Sequence, residues 1–221
     1  MLKIYIDPGH GGKDPGAVGN GLEEKAVNLE IANILEHFLK QFKGVDVRLS
    51  RRDDTYKTLK QRTDDANKWG ADFFFSIHVN AGGGQGYEDY IHSSLSNTGE
   101  TNQIRKVIHE TVAEHMVEWR NRGMKKANFH VLRESKMPAM LVECGFIDNY
   151  HDAQLLKDPK FINDIAEVFA EGIRRAFDLE FKSINQKIYR VQVGAFREKE
   201  NAERLANELK SKGYDVWVRE G

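Results

Sequence analysis

The chain has 221 residues, 40% of them hydrophobic, which is enough for one ordinary domain and a small additional unit. Its 33 basic and 34 acidic side chains give a formal net charge of −1, a balance that disfavours binding to nucleic acid or to an anionic membrane. The single cysteine excludes an internal disulfide. No stretch near the start is apolar enough for a signal peptide, so we expect synthesis in the cytoplasm.

Strand-like and helix-like patterns alternate along most of the chain. Strands are predicted where apolar residues alternate or run continuously, and helices where they recur every third or fourth residue. In chain order, the predicted elements are a strand at residues 3–7, a helix at 25–42, a strand at 45–49, a helix at 59–69, strands at 72–80 and 87–92, a helix at 104–119, a strand at 139–146 and a helix at 161–177. This order is typical of an α/β fold, so we expect a mainly parallel twisted sheet flanked by helices.

The composition changes near residues 181–186, where polar residues interrupt the last helical pattern. We therefore expect a first domain at residues 1–180 and a small second unit at residues 187–221. Within the second unit, apolar residues predict a strand around Tyr189, a helix that contains Ala202, Leu205, Ala206 and Leu209, and a strand around Val216. A lone β-α-β unit of about 35 residues has a poor core and two exposed sheet edges.

Polar side chains with metal-binding or acid–base chemistry lie at the ends of three predicted strands. His10 lies in the turn after the first strand, His78 ends the run DFFFSIH, and Glu143 lies within AMLVECGF. Glu24 opens the first predicted helix, in the segment GLEEK. In open α/β sheets, reactive groups gather at the carboxyl ends of the strands. Two imidazoles and a carboxylate form a common catalytic zinc site, and a further carboxylate can then transfer protons.

Each of these residues also has a structural interpretation that the pattern alone leaves open. His10 can cap the turn, His78 can be a hydrogen-bonded core histidine, and Glu143 can belong to a buried salt bridge. The pattern does not decide between Glu23 and Glu24, because either can place a negative charge at a helix N-terminus.

Other polar groups are weaker candidates. Cys144 is a possible nucleophile if a histidine lies beside it, although a lone buried cysteine is more often an unreactive core residue. His109, His115 and His151 have no partner in the pattern and are predicted to be ordinary surface or core residues. The loop GGGQG at residues 82–86 is predicted to form a flexible rim of the site.

Five sequence blocks, IDPGHGGKDPGA, GLEEKAVNL, SRRDD, DFFFSIHVN and LVECGF, resemble in this order the zinc-dependent N-acetylmuramoyl-L-alanine amidases. The resemblance is greatest to the third amidase family, that of sporulation autolysins and phage endolysins, and covers residues 1–178. It implies hydrolysis of the amide between N-acetylmuramic acid and L-alanine in peptidoglycan, with action on the cell wall after release. It also implies that His10, Glu24 and His78 bind zinc and that Glu143 is the catalytic carboxylate.

Two further residues are expected to contact the substrate. Asn80 lies just past the second histidine, and Arg133 lies in the segment NFHVLRES, where its fork-shaped group can bind a stem-peptide carboxylate. A surface salt bridge is the alternative for Arg133. Two other functions stay open: a zinc peptidase that cuts within stem peptides, and a non-catalytic protein that binds the cell wall.

The second unit resembles half of a sporulation-related repeat, a peptidoglycan-binding module made of two β-α-β halves. The segments YRVQVGAF and GYDVWV and the helix between them carry this resemblance. Because one half is found here, we expect two chains to pair these units and form a weak homodimer. A truncated and largely disordered remnant is the alternative.

Overall fold

The computed structural model describes residues 1–182, 193–214, 216 and 218. They belong to two compact units, Met1–Lys182 and Ser183–Gly221, whose division falls within the polar segment at residues 181–186. None of the helices in these described residues is both long and apolar enough to cross a membrane.

The strands of the first unit form a six-stranded sheet and a two-stranded hairpin. They are β1 (Leu2–Pro8), β2 (Val18–Gly19), β3 (Leu22–Glu23), β4 (Val45–Leu49), β5 (Phe73–Asn80), β6 (Tyr87–His92), β7 (Asn121–Ala127) and β8 (Ala139–Phe146). The large sheet has the order β4-β1-β5-β8-β6-β7, and every neighbouring pair is parallel except β6 with β8. The prediction of an α/β fold with a mainly parallel sheet is therefore confirmed.

Helices cover both faces of this sheet. They are α1 (Glu24–Leu39), α2 (Leu59–Trp69), α3 (Glu100–His115), α4 (His130–Arg133), α5 (Tyr150–Leu156) and α6 (Pro159–Ala176), and the second unit contains α7 (Lys199–Ser211). Apolar residues of α1, α3 and α6 share the larger core, whereas α2 and α4 contribute to a smaller core.

Strand β5 shows how the sheet separates the two cores. Phe73 and Phe75 belong to the larger core and Phe74 to the smaller one, and all three are fully buried. Side chains of a strand point alternately to opposite faces, so a strand covered on both sides is apolar throughout. The same burial explains why the polar residues at the end of β5 stand out in the sequence.

Three predicted helix boundaries are wrong by about one turn, one of them the start of α3, which lies at Glu100 and not at residue 104. Helix α1 ends at Leu39, and Phe42 lies beyond it with its ring 4.8 Å from that of Phe181. Helix α3 ends at His115, although Met116 and Trp119 beyond it are also buried. At both of these helix ends, apolar residues just outside the helix continue the spacing of its buried face.

The sequence pattern does not predict β7, α4 or α5. Strand β7 lies at the edge of the sheet, and its residues NRGMKKA are half-buried or exposed. Charged side chains on an edge strand oppose pairing with other chains, but they also remove the apolar alternation by which a strand is recognised.

In the second unit, α7 confirms the predicted helix. Ala206 is buried, and Leu205 and Leu209 are half-buried. The predicted strand around Tyr189 lies outside the described residues as far as residue 192, as do residues 215 and 217 of the predicted strand around Val216.

Candidate metal centre and its neighbouring carboxylate

The carboxyl ends of β1, β5 and β8 lie side by side, because these strands are parallel neighbours in the sheet. His10 follows β1, His78 lies near the end of β5, and Glu143 is paired in register with His78 from β8. Glu24 is the first residue of α1. The structure therefore brings four sequence-predicted site residues to one edge of the sheet, where ligand sites of open α/β folds form.

The glycine-rich turn allows the histidines and Glu24 to approach closely. A Cβ atom at Gly9 would lie 2.2 Å from Cε1 of His78, and one at Gly16 would lie 2.5 Å from Oε2 of Glu24. Gly16 also has a φ of +67°, a conformation that favours glycine. Larger residues at either position would separate the polar side chains.

His10, Glu24 and His78 form a compact donor cluster. Oε1 of Glu24 lies 3.2 Å from Nε2 of His10 and 2.9 Å from Nδ1 of His78. One potential ligand atom from each residue lies within 4.8 Å of the other two. Two imidazole nitrogens and one carboxylate oxygen on different elements are the donor set of a catalytic metal site. These residues fit a bound metal ion.

The ligand candidates are held from behind. Nδ1 of His10 lies 2.9 Å from Oδ2 of Asp14, which leaves Nε2 of the ring facing Glu24. The backbone amide of Ala17 donates to Oε2 of Glu24 at 2.8 Å, and that of Val79 donates to Oε1 at 3.2 Å. Such outer contacts fix the orientation of metal ligands.

The adjacent glutamates of the GLEEK segment have different surroundings. Glu24 is buried in the cluster, whereas Glu23 is exposed and lies 3.5 Å from Nζ of Lys25. Burial alone would raise the pKa of Glu24, but its contacts with His10 and His78 bring that pKa well below its usual value. Glu24 is therefore a charged carboxylate despite its burial.

Glu143 lies beside the cluster as a different kind of carboxyl group. Its Oε2 atom is buried and has no hydrogen-bond partner among the described residues. Burial raises the pKa of Glu143 to about 7, and the charges of Glu24 and Glu88 act in the same direction while His78 opposes them. A carboxyl group with a pKa near neutrality can both accept and donate a proton.

The two predicted substrate contacts have different positions. Asn80 lies two residues past His78 on β5, and its Nδ2 donates a hydrogen bond to Oε1 of Glu88 at 2.9 Å. Arg133 is bonded through Nε to Glu134 and through Nη1 to Oδ1 of Asn128. None of the contacts found for Arg133 among the described residues involves the donor cluster, so its role stays a prediction.

Glu88 is the residue of this region that the sequence analysis does not identify. It is buried on β6, opposite Glu143 in register, and it accepts hydrogen bonds from Asn80, Tyr90, Arg122 and Lys125. The adjacent acidic residues Glu88 and Asp89 within a predicted strand are the signal that could have identified it. Adjacent residues of a strand point to opposite faces, and both faces of this sheet are covered, so each of these carboxylates is buried.

Two expectations need correction: that His109 has no partner, and that the loop at residues 82–86 is flexible. His109 has a partner, since its Nδ1 lies 2.5 Å from Oδ2 of the buried Asp89. The loop at residues 82–86 is held at both ends, with Asp148 accepting from the amides of Gly82 and Gly83 and Asp152 accepting from that of Gly86.

Cys144 is fully buried, and its burial raises the pKa of the thiol well above the usual value. A thiol of this kind is rarely ionised, and the thiolate is the reactive form. The environment therefore disfavours Cys144 as a nucleophile.

In comparisons with known proteins, most of the chain matches one protein family. Residues 4–175 match the family model described as N-acetylmuramoyl-L-alanine amidase, and residues 185–221 match the SPOR domain. The sporulation-specific N-acetylmuramoyl-L-alanine amidase of Bacillus subtilis (strain 168) is 50% identical over 219 residues, which are 99% of this chain and 84% of that protein. An endolysin of Bacillus phage SPP1 is 41% identical over 183 residues, which are 81% of this chain and 68% of that protein.

A solved structure supports the same relationship. The catalytic domain of CwlV, an N-acetylmuramoyl-L-alanine amidase from Bacillus (Paenibacillus) polymyxa var. colistinus, has a TM-score of 0.76 and 38% identity. The similarity covers 81% of this chain and 100% of that one. The resemblance read from the five sequence blocks is therefore confirmed, and the chain belongs to the N-acetylmuramoyl-L-alanine amidase family.

Proposed function

We propose that this protein hydrolyses the amide bond between N-acetylmuramic acid and L-alanine of peptidoglycan, with a zinc ion held by His10, Glu24 and His78. The observation that carries the proposal is the convergence of these three donors next to Glu143, whose buried oxygen has no partner among the described residues. The family and the names of the relatives support the substrate.

Zinc, when bound, supplies Lewis acidity that lowers the pKa of a water molecule and polarises the amide carbonyl. Glu143 takes a proton from the attacking water and passes it to the nitrogen of L-alanine as the carbon–nitrogen bond breaks. A pKa of about 7 suits this residue to both transfers. Asp14 keeps the His10 ring in one orientation, and the amide of Ala17 holds one oxygen of Glu24. Asn80 contacts the bound substrate near Glu143.

Two other activities are compatible with the donor cluster alone. A zinc peptidase that cuts within stem peptides would use the same ligands and the same proton transfer. A wall-binding protein without activity would have no use for a buried carboxyl with a pKa near neutrality. The amidase names of relatives that match nearly the whole chain favour the first proposal.

We also propose a division of labour along the chain. Residues 1–180 form the catalytic domain and residues 187–221 attach the enzyme to peptidoglycan, in line with the SPOR match. Pairing of the β-α-β units of two chains into a weak homodimer is part of this proposal. Sedimentation over a wide range of protein concentration tests it, and a mass that stays monomeric throughout contradicts the pairing.

The main proposal is tested with purified cell walls. Turbidity and newly released amino termini are followed for the enzyme as prepared, after chelation, and after zinc is restored. We expect clearing that chelation abolishes and zinc restores, with L-alanine as the new amino terminus and intact glycan strands. New amino termini on other stem residues would indicate the peptidase, and binding without clearing would indicate the inactive wall-binding protein. Clearing that ignores the chelator but stops with a thiol reagent would contradict the zinc assignment.

A further inference from the structure

Arg122 on β7 is held in one position beside the candidate site. Its Nε donates to Oε2 of Glu88 at 2.5 Å, and its guanidinium carbon lies 4.8 Å from the centre of the Phe146 ring. The side chain is 28% exposed. Its two terminal nitrogens have no hydrogen-bond partner among the described residues, so they form an open fork of donors.

The platform under Arg122 is itself fixed. A Cβ atom at Gly84 would lie 2.3 Å from the Phe146 ring, so the glycine loop packs directly on that ring. Asp148 holds the loop at one end and Asp152 holds it at the other. An arginine that is stacked on a fixed ring and bonded to a buried carboxylate loses little side-chain entropy when it binds a ligand.

Arg122 is close to the groups that are proposed to react. Its partner Glu88 pairs in register with Glu143 across the antiparallel strands, where paired Cα atoms lie about 4.5–5.5 Å apart. Phe146 lies three residues past Glu143 on β8 and pairs with Asn80. Arg122 and Glu143 are therefore both neighbours of Glu88, Arg122 through its side-chain contact and Glu143 through strand pairing.

The charges around Glu88 favour a negatively charged ligand. Glu88 accepts hydrogen bonds from both Arg122 and Lys125. The one negative and two positive charges of these three side chains sum to a net charge of +1. Arg133, the arginine that the sequence analysis suggests for a stem-peptide carboxylate, is already bonded to Glu134. Arg122 also donates to a carboxylate through Nε, but both of its terminal nitrogens are without a partner among the described residues, whereas Nη1 of Arg133 donates to Asn128.

We propose that Arg122 binds a stem-peptide carboxylate close to the cleaved amide. This carboxylate is the α-carboxylate of the residue after L-alanine. The contact gives the enzyme a preference for substrates in which this group is ionised. This inference rests on the proposed amidase function and adds the part of the substrate that is recognised. A bidentate, charge-assisted contact of this kind changes affinity by roughly 10- to 100-fold.

The test uses two soluble disaccharide peptides that differ only at that α-carboxyl, which is free in one and amidated in the other. Values of kcat and KM are measured by release of the L-alanyl amino terminus, with the zinc-loaded full chain. For the wild type we expect a KM about 10- to 100-fold lower for the free acid. Arg122→Gln should raise KM for the free acid to the value for the amide, with kcat changed less than about threefold for both.

Arg120→Gln is the matched control, because it makes the same charge change at an exposed position two residues away and should keep the preference. Arg122→Lys keeps the charge without the fork and should keep only part of the preference. Thermal unfolding shows that each variant is folded.

Different results separate this inference from the proposed function. A wild type that cleaves both substrates with equal KM overturns the carboxylate contact and leaves the amidase proposal intact. An Arg122→Gln variant that lowers kcat equally for both substrates shows that Arg122 only supports Glu88, and also overturns it. If the wild type releases no L-alanyl amino terminus from either substrate, the proposed function fails and the inference falls with it.

Discussion

Among the described residues, Glu24 and Asp89 are both buried carboxylates that contact histidines, but of these two Glu24 alone belongs to the candidate metal site. Glu24 lies against His10 and His78, which come from two separate elements and are 26% and 19% exposed. Asp89 lies against His109 alone, with Arg105 at 3.8 Å, and all three side chains are at most 8% exposed. The first group is partly exposed to solvent at the edge of the sheet, and the second is enclosed by the fold.

This difference shows what separates a ligand set from a structural ion pair. A histidine–carboxylate contact is common to both groups. The distinguishing features are the number of converging donors, their access to solvent, and the presence of Glu143 as a second carboxyl group beside them. A metal ion needs three or four donors and room for a water molecule or substrate, and an ion pair needs neither.

The largest expected effect is loss of the ligand cluster. Glu24→Ala should reduce hydrolysis by about 1,000-fold or more, since it removes a proposed metal ligand and with it several kcal/mol of transition-state stabilisation. Amino-terminus release from cell walls and zinc content per chain measure this. Glu23→Ala is the control and should retain both, because Glu23 is exposed outside the cluster. Equal losses in the two variants would contradict the assignment of Glu24.

Asp89→Asn should lower the stability of the fold and leave zinc binding unchanged, the opposite of Glu24→Ala. It leaves the buried Arg105 without its charge partner, and breaking a buried ion pair costs about 3–5 kcal/mol of unfolding free energy. Zinc content should stay at the wild-type value in the folded protein. Urea unfolding together with metal analysis measures both. A variant that loses zinc but keeps its stability would reverse the distinction between the two groups.

A smaller effect is expected from the residue behind His10. Asp14→Asn should weaken zinc binding by roughly 10- to 100-fold, because contacts of this kind orient the ring and raise its basicity. A zinc competition titration against a chelator of known affinity measures the change. Asp54→Asn is the control, since Asp54 accepts hydrogen bonds from Gly12 in the same turn and from Lys25 but contacts neither histidine. An unchanged zinc affinity in Asp14→Asn would show that Asp14 serves the turn alone.

The last prediction concerns the pH dependence of a buried ion pair without any histidine, that of Asp7 and Arg62 at 2.7 Å. Burial alone would raise the pKa of Asp7, but Arg62 and the hydrogen bonds to this carboxyl bring it below its usual value. A carboxyl with a lowered folded pKa stabilises the fold above its unfolded pKa of about 4, and this contribution is lost as the pH falls through the folded value.

Unfolding free energies of the wild type and Asp7→Asn, measured from pH 7 down to pH 3, test this contribution. The two curves should differ most at pH 7 and converge below about pH 4. Parallel curves over the whole range would show that Asp7 does not titrate with a lowered pKa.

Much of the sheet could be predicted because its strands are covered on both faces. Strands β4, β6 and β8 and helix α2 have the predicted bounds, and Gly70 follows α2 in a left-handed conformation. Strand β7 could not be predicted, since an exposed edge strand does not require apolar residues. The end of α3 was misplaced because Met116 and Trp119 stay buried after the helix has ended.

The candidate site could be predicted in part for a related reason. His10, His78 and Glu143 lie at strand ends, where the topology of an open sheet gathers polar groups. The choice of Glu24 over Glu23 required the family resemblance, because it depends on amides of Ala17 and Val79 that no local pattern reveals. The partner of His109 lies 20 residues away on another element, beyond the reach of helical or strand spacing.

The central claim is that His10, Glu24 and His78 hold the metal while Glu143 transfers the proton. The most direct test is zinc binding and product release by Glu143→Gln in one preparation. The account predicts one zinc per chain at wild-type affinity and a fall in L-alanyl amino-terminus release of about 100- to 10,000-fold. Release at the wild-type rate, or a loss of zinc from this variant, would contradict it.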